Sequence, residues 1–353
     1  MKLELRRLKV PTPRAKNARQ QWPERESLLL RLSDARGRAG VGEASPLPGY
    51  SRDSLDAVEH ALQRLQVGNV ERALEAGAPR AVLGAVATLL PATLPSARMA
   101  LETAVLDFVG HRDAKAAPAL LGAPLDAERP LAELVGSPLD VAFVSSCERA
   151  IHAGFRHLKV KLGAPGRLQA ELLALQSAAE RFGAAARLRV DANRALSLVE
   201  VERAWTALEA SDVELFEEPG ALSPSLPRTL PLALDESLQG LDVPDAIKQL
   251  ETTNARFAVL KPTALGGLEH CWRLAERAQA AGVRAIVSHC FDGPLALRAA
   301  AALALSLDSG VAHGLAPHAG LEGWASPAPP CAHGWLRTWS APGLGFASGS
   351  YFE

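Results

Sequence analysis

Aromatic side chains are scarce in this chain, with Phe, Trp and Tyr together making up 5% of its residues. A core with so few rings must pack mainly aliphatic side chains. Cysteine is sparse too. Cys147, Cys271, Cys290 and Cys331 lie far apart, with neither the close pairs of a zinc site nor a disulfide-type spacing. They read as reduced thiols, which points to the cytoplasm. Long apolar runs are missing. The most apolar stretches are interrupted early, one by Pro91 and another by Arg298. Neither reaches the roughly 20 residues that span a bilayer, so no membrane partner is expected. The segment from Met1 to Arg7 lacks the apolar core of a secretory signal. A charge block is absent as well: the formal net charge is −1, with no basic cluster and no basic-aromatic interleaving. That excludes an electrostatic footprint for nucleic acid. Nothing in the composition sets an oligomeric state.

What is present is 353 residues, 48% apolar and 22% charged, enough for more than one core. Residues 1–125 read as an α+β domain. Leu3 to Val10 alternates like a strand, and Ser27 to Leu32 reads as another. The intervening Thr12 to Glu26 is polar and predicts a mobile loop, a candidate lid. A Pro/Gly loop follows from Ser45 to Tyr50, then helical patterns from about Ser54 to Leu121. From about Leu131 the rhythm becomes strand, loop, helix, repeated. Strand candidates end near Gly136, Lys161, Asp191, Glu217, Asp235, Lys261, Ser288 and Gly314. Between them, Leu168 to Phe182 and Leu198 to Leu208 have helical periodicity, and the second opens with a capping box at Ser197 and Glu200. No Gly-rich dinucleotide fingerprint follows the first of these strands. The pattern predicts an α/β fold, a (β/α) barrel over 126–324, with 325–353 returning to the N-terminal domain.

Five of the strand candidates end in charge. They are His157-Leu158-Lys159-Val160-Lys161, Arg189-Val190-Asp191-Ala192-Asn193, Leu215-Phe216-Glu217-Glu218-Pro219, Ala233-Leu234-Asp235-Glu236-Ser237 and Val259-Leu260-Lys261-Pro262-Thr263. In such barrels the active site lies at the C-terminal strand ends. Asp191, Glu217 and Asp235 then form an oxygen-donor set for a hard divalent cation, Mg²⁺ first and Mn²⁺ as the alternative. A single carboxylate after a strand would mean little, since any loop can carry one. Lys159 and Lys161 are two apart and share a face. A lone Lys-x-Lys is common on surface strands, but this one sits inside the repeat. A lysine poised near neutrality serves as a general base. Lys261, from a strand across the barrel, is a second base or a fixed cation facing a developing anion. Glu218 and Glu236 alternate away from the cation and read as supporting residues, as does Asn193. His289 reads by default as a satisfied structural histidine, with an acid or base role as the alternative; His313 and His318 read as packing or loop hydrogen bonding. The set suits removal of a proton beside a substrate carboxylate, which gives an enediolate that a divalent cation and ammonium groups stabilise. The expected partner is therefore a small-molecule carboxylate.

As a set, these motifs resemble the enolase superfamily, in the muconate-lactonizing-enzyme-like subgroup with lysines on both sides of the site. Within it, Gly42-Glu43-Ala44-Ser45-Pro46-Leu47-Pro48-Gly49-Tyr50-Ser51, Arg189 to Arg194 and Ser288 are most similar to the o-succinylbenzoate synthase family of menaquinone biosynthesis. The resemblance implies a barrel of the modified TIM type with an α+β capping domain, and Mg²⁺ as cofactor. It implies Lys161 as the base of a syn dehydration and Lys159 as a hold on the carboxylate end. Lys261 would be a cation–π partner across the substrate ring. It places Arg189 in support of Lys159 and Lys161, and Ser288 with the loops around Arg19 and Gly49 to Tyr50 on the succinyl arm. His289, Cys290 and Pro294 depart from the family's usual residues and leave the pocket's shape open. An N-acylamino acid racemase or dipeptide epimerase on the same scaffold is the alternative, with Lys161 and Lys261 on opposite faces of Cα. A silent binding protein that kept the barrel is the third reading; the intact lysines and carboxylates speak against it.

Overall fold

The protein is described by a computed structural model covering residues 1–16, 20–223, 226–324, 328–346 and 351–352. The chain opens with an antiparallel sheet in the order β1 (Lys2–Pro11), β2 (Glu24–Ser33), β3 (Ala39–Ala44). Five helices follow: α1 (Leu55–Gln63), α2 (Val67–Leu74), α3 (Pro79–Ala87), α4 (Pro95–Asp113) and α5 (Ala117–Leu120). The sheet lies directly on α4. A Cβ on Gly42 would stand 2.0 Å from the Ala100 carbonyl oxygen, and one on Gly40 would stand 2.2 Å from that of Ala104. Only glycine allows that approach.

The expected loop from Thr12 to Glu26 is instead mostly hairpin. β2 begins at Glu24, paired with Pro11, and Lys16 bridges Gln21 farther out. Ala15 and Trp22 are buried against Leu47, Ala264 and Cys290. The segment reads as polar because its inward positions include Thr12 and Arg25, which are buried with hydrogen-bond partners. Arg19 lies outside the described residues.

Next come β4 (Glu128–Pro130), β5 (Ala132–Gly136), α6 (Phe143–His152), β6 (His157–Lys161), α7 (Leu168–Phe182), β7 (Arg187–Asp191) and α8 (Leu198–Leu208). The series continues with β8 (Leu215–Glu217), β9 (Leu232–Leu234), α9 (Val243–Thr252), β10 (Phe257–Leu260), α10 (Pro262–Leu265), α11 (Gly267–Ala280), β11 (Arg284–Val287) and α12 (Pro294–Ser306). The capping box of α8 is formed as expected, with both Ser197 and Glu200 engaged. Strands β5 to β11 form one sheet in sequence order, with every pair parallel. The eighth expected strand is reduced to two bridges, Leu131 to His313 and Ser288 to Gly314, which join the two edges of that sheet. One rung is a side chain: the Val287 amide donates to His313 Nδ1 at 3.0 Å. The architecture is a modified TIM barrel with a capping domain. Inside it, Leu215, Ala233, Phe257, Val259, Ile286 and Val311 form a separate buried cluster. Alternation puts Glu217, Asp235, Lys261 and Ser288 on the same face, one step nearer the mouth.

The tail adds β12 (Cys331–Ala332) and β13 (Trp335–Arg337), and β13 pairs with β4. Beyond it, the Leu344 amide donates to Asp107 Oδ1 on α4 at 2.7 Å, and Arg6 donates to the Tyr351 carbonyl at 2.9 Å. Among the described residues, no helix is long and apolar enough to cross a membrane.

Two buried carboxylates from the N-terminal elements cap barrel helices. Glu43, on β3, accepts the amides of Gly293, Leu295 and Ala296 at the start of α12. Glu102, on α4, accepts the Glu269 amide in the first turn of α11 at 2.9 Å. Burial pushes the Glu102 carboxyl from its ordinary 4.5 up to about 8. With the folded value above the unfolded one, its contribution to stability is complete below pH 4.5 and is lost as pH rises through about 8. Glu102→Gln keeps a carbonyl acceptor and cannot ionise. It is predicted to gain about 2 to 3 kcal/mol on the wild type between pH 6 and pH 9, a few degrees in Tm by calorimetry. A Tm difference that does not change with pH would contradict this.

Candidate active site

Parallel register brings the charged strand ends together. Lys161 is the partner of Asp191, and Asp191 of Glu217, across β6, β7 and β8. Asp235 stands one residue past β9 and Lys261 one residue past β10. All three carboxylates are buried. The Lys159 ammonium donates to both Glu217 oxygens at 2.7 Å and lies 2.7 Å from Asp191 Oδ2. Lys161 donates to Asp191 Oδ2 at 2.6 Å and to Asn193 Oδ1 at 2.8 Å. Lys261 is paired with Asp235 Oδ2 and donates to the Tyr50 hydroxyl at 2.9 Å. That hydroxyl donates in turn to Asp235 Oδ1 at 2.9 Å.

These contacts set the protonation balance. Burial opposes ionisation of Asp191, but Lys159 and Lys161 outweigh it and hold the carboxyl well below its usual range. Burial, then the neighbouring Asp191, pushes Glu217 up to about 7. Burial pushes Asp235 up to about 6. Burial works against the Lys159 and Lys261 ammonium groups, yet their carboxylate partners dominate and raise both. Neither is poised near neutrality in this arrangement.

The supporting residues follow from the same loops. Glu218, in a left-handed backbone conformation (φ 40°), accepts the Asp235 amide at 2.8 Å and Arg194 Nε at 2.8 Å. Glu236 accepts from Asn193 Nδ2 at 3.2 Å, which links it to Lys161 through one amide. Its Oε2 is buried with no partner among the described residues. Ser288 is buried at the end of β11, with its hydroxyl 3.3 Å from the Gly314 carbonyl. Gly49 has φ +77° and closes the turn before Tyr50. Tyr50 reaches farther in than the sequence suggests, and the Lys261 ammonium lies 4.6 Å from its ring centroid. The cation–π contact seen here is thus with the protein's own ring.

Arg189 does not join the lysines. It makes a bidentate pair with Glu214, at 2.7 and 3.0 Å, and donates to the Ala312 carbonyl at 2.7 Å. His157 Nδ1 shares the same Glu214 oxygen at 2.7 Å. Glu214, just before a predicted strand, and His157, the first residue of another, carried no further sequence signal. His313 is buried and tied to Val287, as its default reading has it.

As they stand, no three acidic, His or Cys side chains among the described residues share one point as a metal cage would. The Lys159 ammonium lies between Asp191 and Glu217 instead. The donor set still fits a hard divalent cation. It consists of hard oxygens on adjacent rigid strand ends, with a further buried carboxylate oxygen, Glu236 Oε2, lacking a partner among the described residues.

A protein-family model described as enolase C-terminal domain-like matches residues 142–348. The chain belongs to the enolase superfamily. It falls in the subgroup that holds muconate cycloisomerases, o-succinylbenzoate synthases and dipeptide epimerases. Among its relatives is the L-Ala-D/L-Glu epimerase of Bacillus subtilis (strain 168), 27% identical over 321 residues, 87% of this chain and 85% of that one. Another is the o-succinylbenzoate synthase of Desulfotalea psychrophila, 27% identical over 300 residues, 76% of this chain and 80% of that one. Among solved structures, the dipeptide epimerase of Methylococcus capsulatus, in complex with Mg and the dipeptide L-Arg-D-Lys, superposes with a TM-score of 0.82. It is 25% identical and covers 98% of both chains.

In this enolase-superfamily barrel, the Arg189–Glu214 pair is the clearest case of buried charge away from the mouth. Arg189 and His157 outweigh burial and hold the Glu214 carboxyl below its usual range. Its contribution is therefore present above the ordinary value of 4.5 and lost as pH falls. Arg189→Met leaves Glu214 buried with only His157 beside it. A loss of about 3 to 5 kcal/mol in urea unfolding at pH 7 is expected. The loss should shrink below about pH 4. A change under about 1 kcal/mol would mean that water reaches Glu214.

Proposed function

We propose that the chain is a Mg²⁺-dependent o-succinylbenzoate synthase of menaquinone biosynthesis. It would dehydrate 2-succinyl-6-hydroxy-2,4-cyclohexadiene-1-carboxylate to 2-succinylbenzoate. The observation that carries the proton chemistry is the opposed lysines. Lys161 on β6 and Lys261 after β10 each rest on a different strand-end carboxylate. Asp191, Glu217 and Asp235 would hold the cation. When bound, Mg²⁺ supplies positive charge to the substrate carboxylate and so acidifies the adjacent C–H.

The chain's own groups do the rest. Lys161, in its neutral form, takes the ring proton, and Asn193 Oδ1 at 2.8 Å orients its amine. As the ring C–O bond breaks, Lys161 returns that proton to the departing hydroxyl, which leaves as water. Both events occur on one face, and the ring becomes aromatic. Lys159 and Lys261 stay charged and stabilise the negative charge that develops. Trp22, Ala15, Leu47, Ala264 and Cys290, with Tyr50 and Phe291 beside them, form an apolar cluster near this mouth. It suits a ring and limits the entry of water.

Dehydration is favoured over dipeptide chemistry by what the mouth lacks. A dipeptide brings an α-ammonium that a dry site must pair with an anion. Ser288 to Phe291 and Gly314 to Ala319 carry no carboxylate. Asp292 faces back to the Cys290 amide. Racemisation of an N-acylamino acid, which has no ammonium, is the second reading. The same opposed lysines support it, as do the epimerase relatives.

The test is ultraviolet loss of the cyclohexadiene substrate, with Mg²⁺ and with chelator, in wild type and Lys161→Ala. Turnover that needs Mg²⁺ and falls by at least about a thousandfold in Lys161→Ala is expected. No turnover by the wild type would overturn the dehydratase reading. Deuterium exchange at Cα of N-acylamino acids would then favour the second one.

A further inference from the structure

His289 and His318, from the β11 end and from the segment after the closing bridges, share one arrangement. The Phe291 amide donates to His289 Nδ1 at 3.0 Å, and the Gly320 amide donates to His318 Nδ1 at 3.1 Å. A ring nitrogen that accepts an N–H carries no proton. Both imidazoles are therefore neutral, with their proton on Nε2. The rings stack with centroids 3.7 Å apart and planes at 22°, which two imidazolium cations would resist. Gly320 is held to glycine by the same packing, since a Cβ there would lie 2.9 Å from the His318 ring.

The His318 Nε2–H is buried and meets no acceptor among the described residues. A buried donor without an acceptor is costly, so the site is built for an oxygen that the protein does not supply. His289 is partly accessible. The buried Arg25 acts on His318, and Lys261, Lys159 and Lys161, each paired with a carboxylate, lie close enough to act on His289. Arg25 itself donates to the carbonyls of Ser45, Pro46 and Cys290. Of the nearby acids, Glu43 accepts from the first turn of α12, and Asp292 accepts the Cys290 amide through Oδ2 while its Oδ1 has no partner among the described residues. Two fixed N–H donors can serve an anionic oxygen and have nothing to offer an ammonium.

We propose that His289 and His318 form a carboxylate-binding subsite for the end of the substrate remote from the reacting carbon. This rests on the dehydratase reading for the identity of that end, the succinyl carboxylate. The subsite excludes substrates that carry an amine there.

The test compares calorimetric binding of 2-succinylbenzoate and of benzoate, which lacks the arm, to the Mg²⁺-loaded protein. Wild type should prefer 2-succinylbenzoate by about tenfold or more. His289→Phe and His318→Phe, which keep a ring but no donor, should erase that preference and leave benzoate binding unchanged. His289→Gln and His318→Gln, which restore an N–H, should recover most of it. ¹⁵N spectra should show both rings protonated at Nε2, with those protons shifting when 2-succinylbenzoate is added. A histidine that only caps the turn at residues 318–320 or packs against its neighbour would move neither the preference nor those resonances on ligand addition. Equal preference in the Phe variants, or the opposite tautomers, would overturn the subsite, as would a wild type without preference. If the preference holds and depends on both histidines while the diene is not turned over, the dehydratase reading falls and the subsite stands.

Discussion

Three carboxylates cannot be buried at the ends of neighbouring strands unless positive charge is buried with them. Asp191, Glu217 and Asp235 are each nearly inaccessible, and each rests on a lysine ammonium within the same ring of strand ends. Removing one charge from such a set leaves its partner unpaired in a poor solvent for ions. The lysines compensate incompletely, since Glu217 and Asp235 stay pushed up and Glu236 Oε2 lacks a partner among the described residues. That residual demand for positive charge is what a divalent cation would meet, and it links the fold's stability to its chemistry.

The rest of the molecule holds this arrangement in place. The barrel interior below the site is apolar, from Leu215 to Val311, and a hydrogen-bonded network of Arg189, Glu214 and His157 lies apart from the lysines. From the capping side, Tyr50 places its hydroxyl between Asp235 and Lys261. Glu43 ties β3 to the start of α12, and Glu102 ties α4 to α11. The hairpin carrying Ala15 and Trp22 packs on Leu47 and Cys290. The capping domain therefore supplies both contacts to the site and anchors for the helices behind it.

The charged strand ends were legible because two local signals coincide there. A buried parallel strand is a short apolar run, and the first polar residue after it falls at the barrel mouth. Lys159, Lys161, Asp191, Glu217, Asp235 and Lys261 all follow that rule. Arg189 has the right strand and face, but its partner Glu214 belongs to the start of the next strand, which no local pattern identifies. Ala15 and Trp22 were hidden in a polar segment whose hairpin pairing is set by tertiary contact. The strand expected near Gly314 shrinks to bridges because the His313 side chain takes one backbone rung. His289 and His318 were legible only as residues near strand ends, and their pairing comes from stacking between distant segments.

The most direct measurement of the central claim is a high-resolution crystal structure of the protein grown with Mg²⁺. The account predicts a cation held by carboxylate oxygens of Asp191, Glu217 and Asp235, with the Lys159 ammonium withdrawn from between Asp191 and Glu217. Saturating Mg²⁺ with no ion at those carboxylates, or with an ion held elsewhere and the lysine pairs intact, would contradict it.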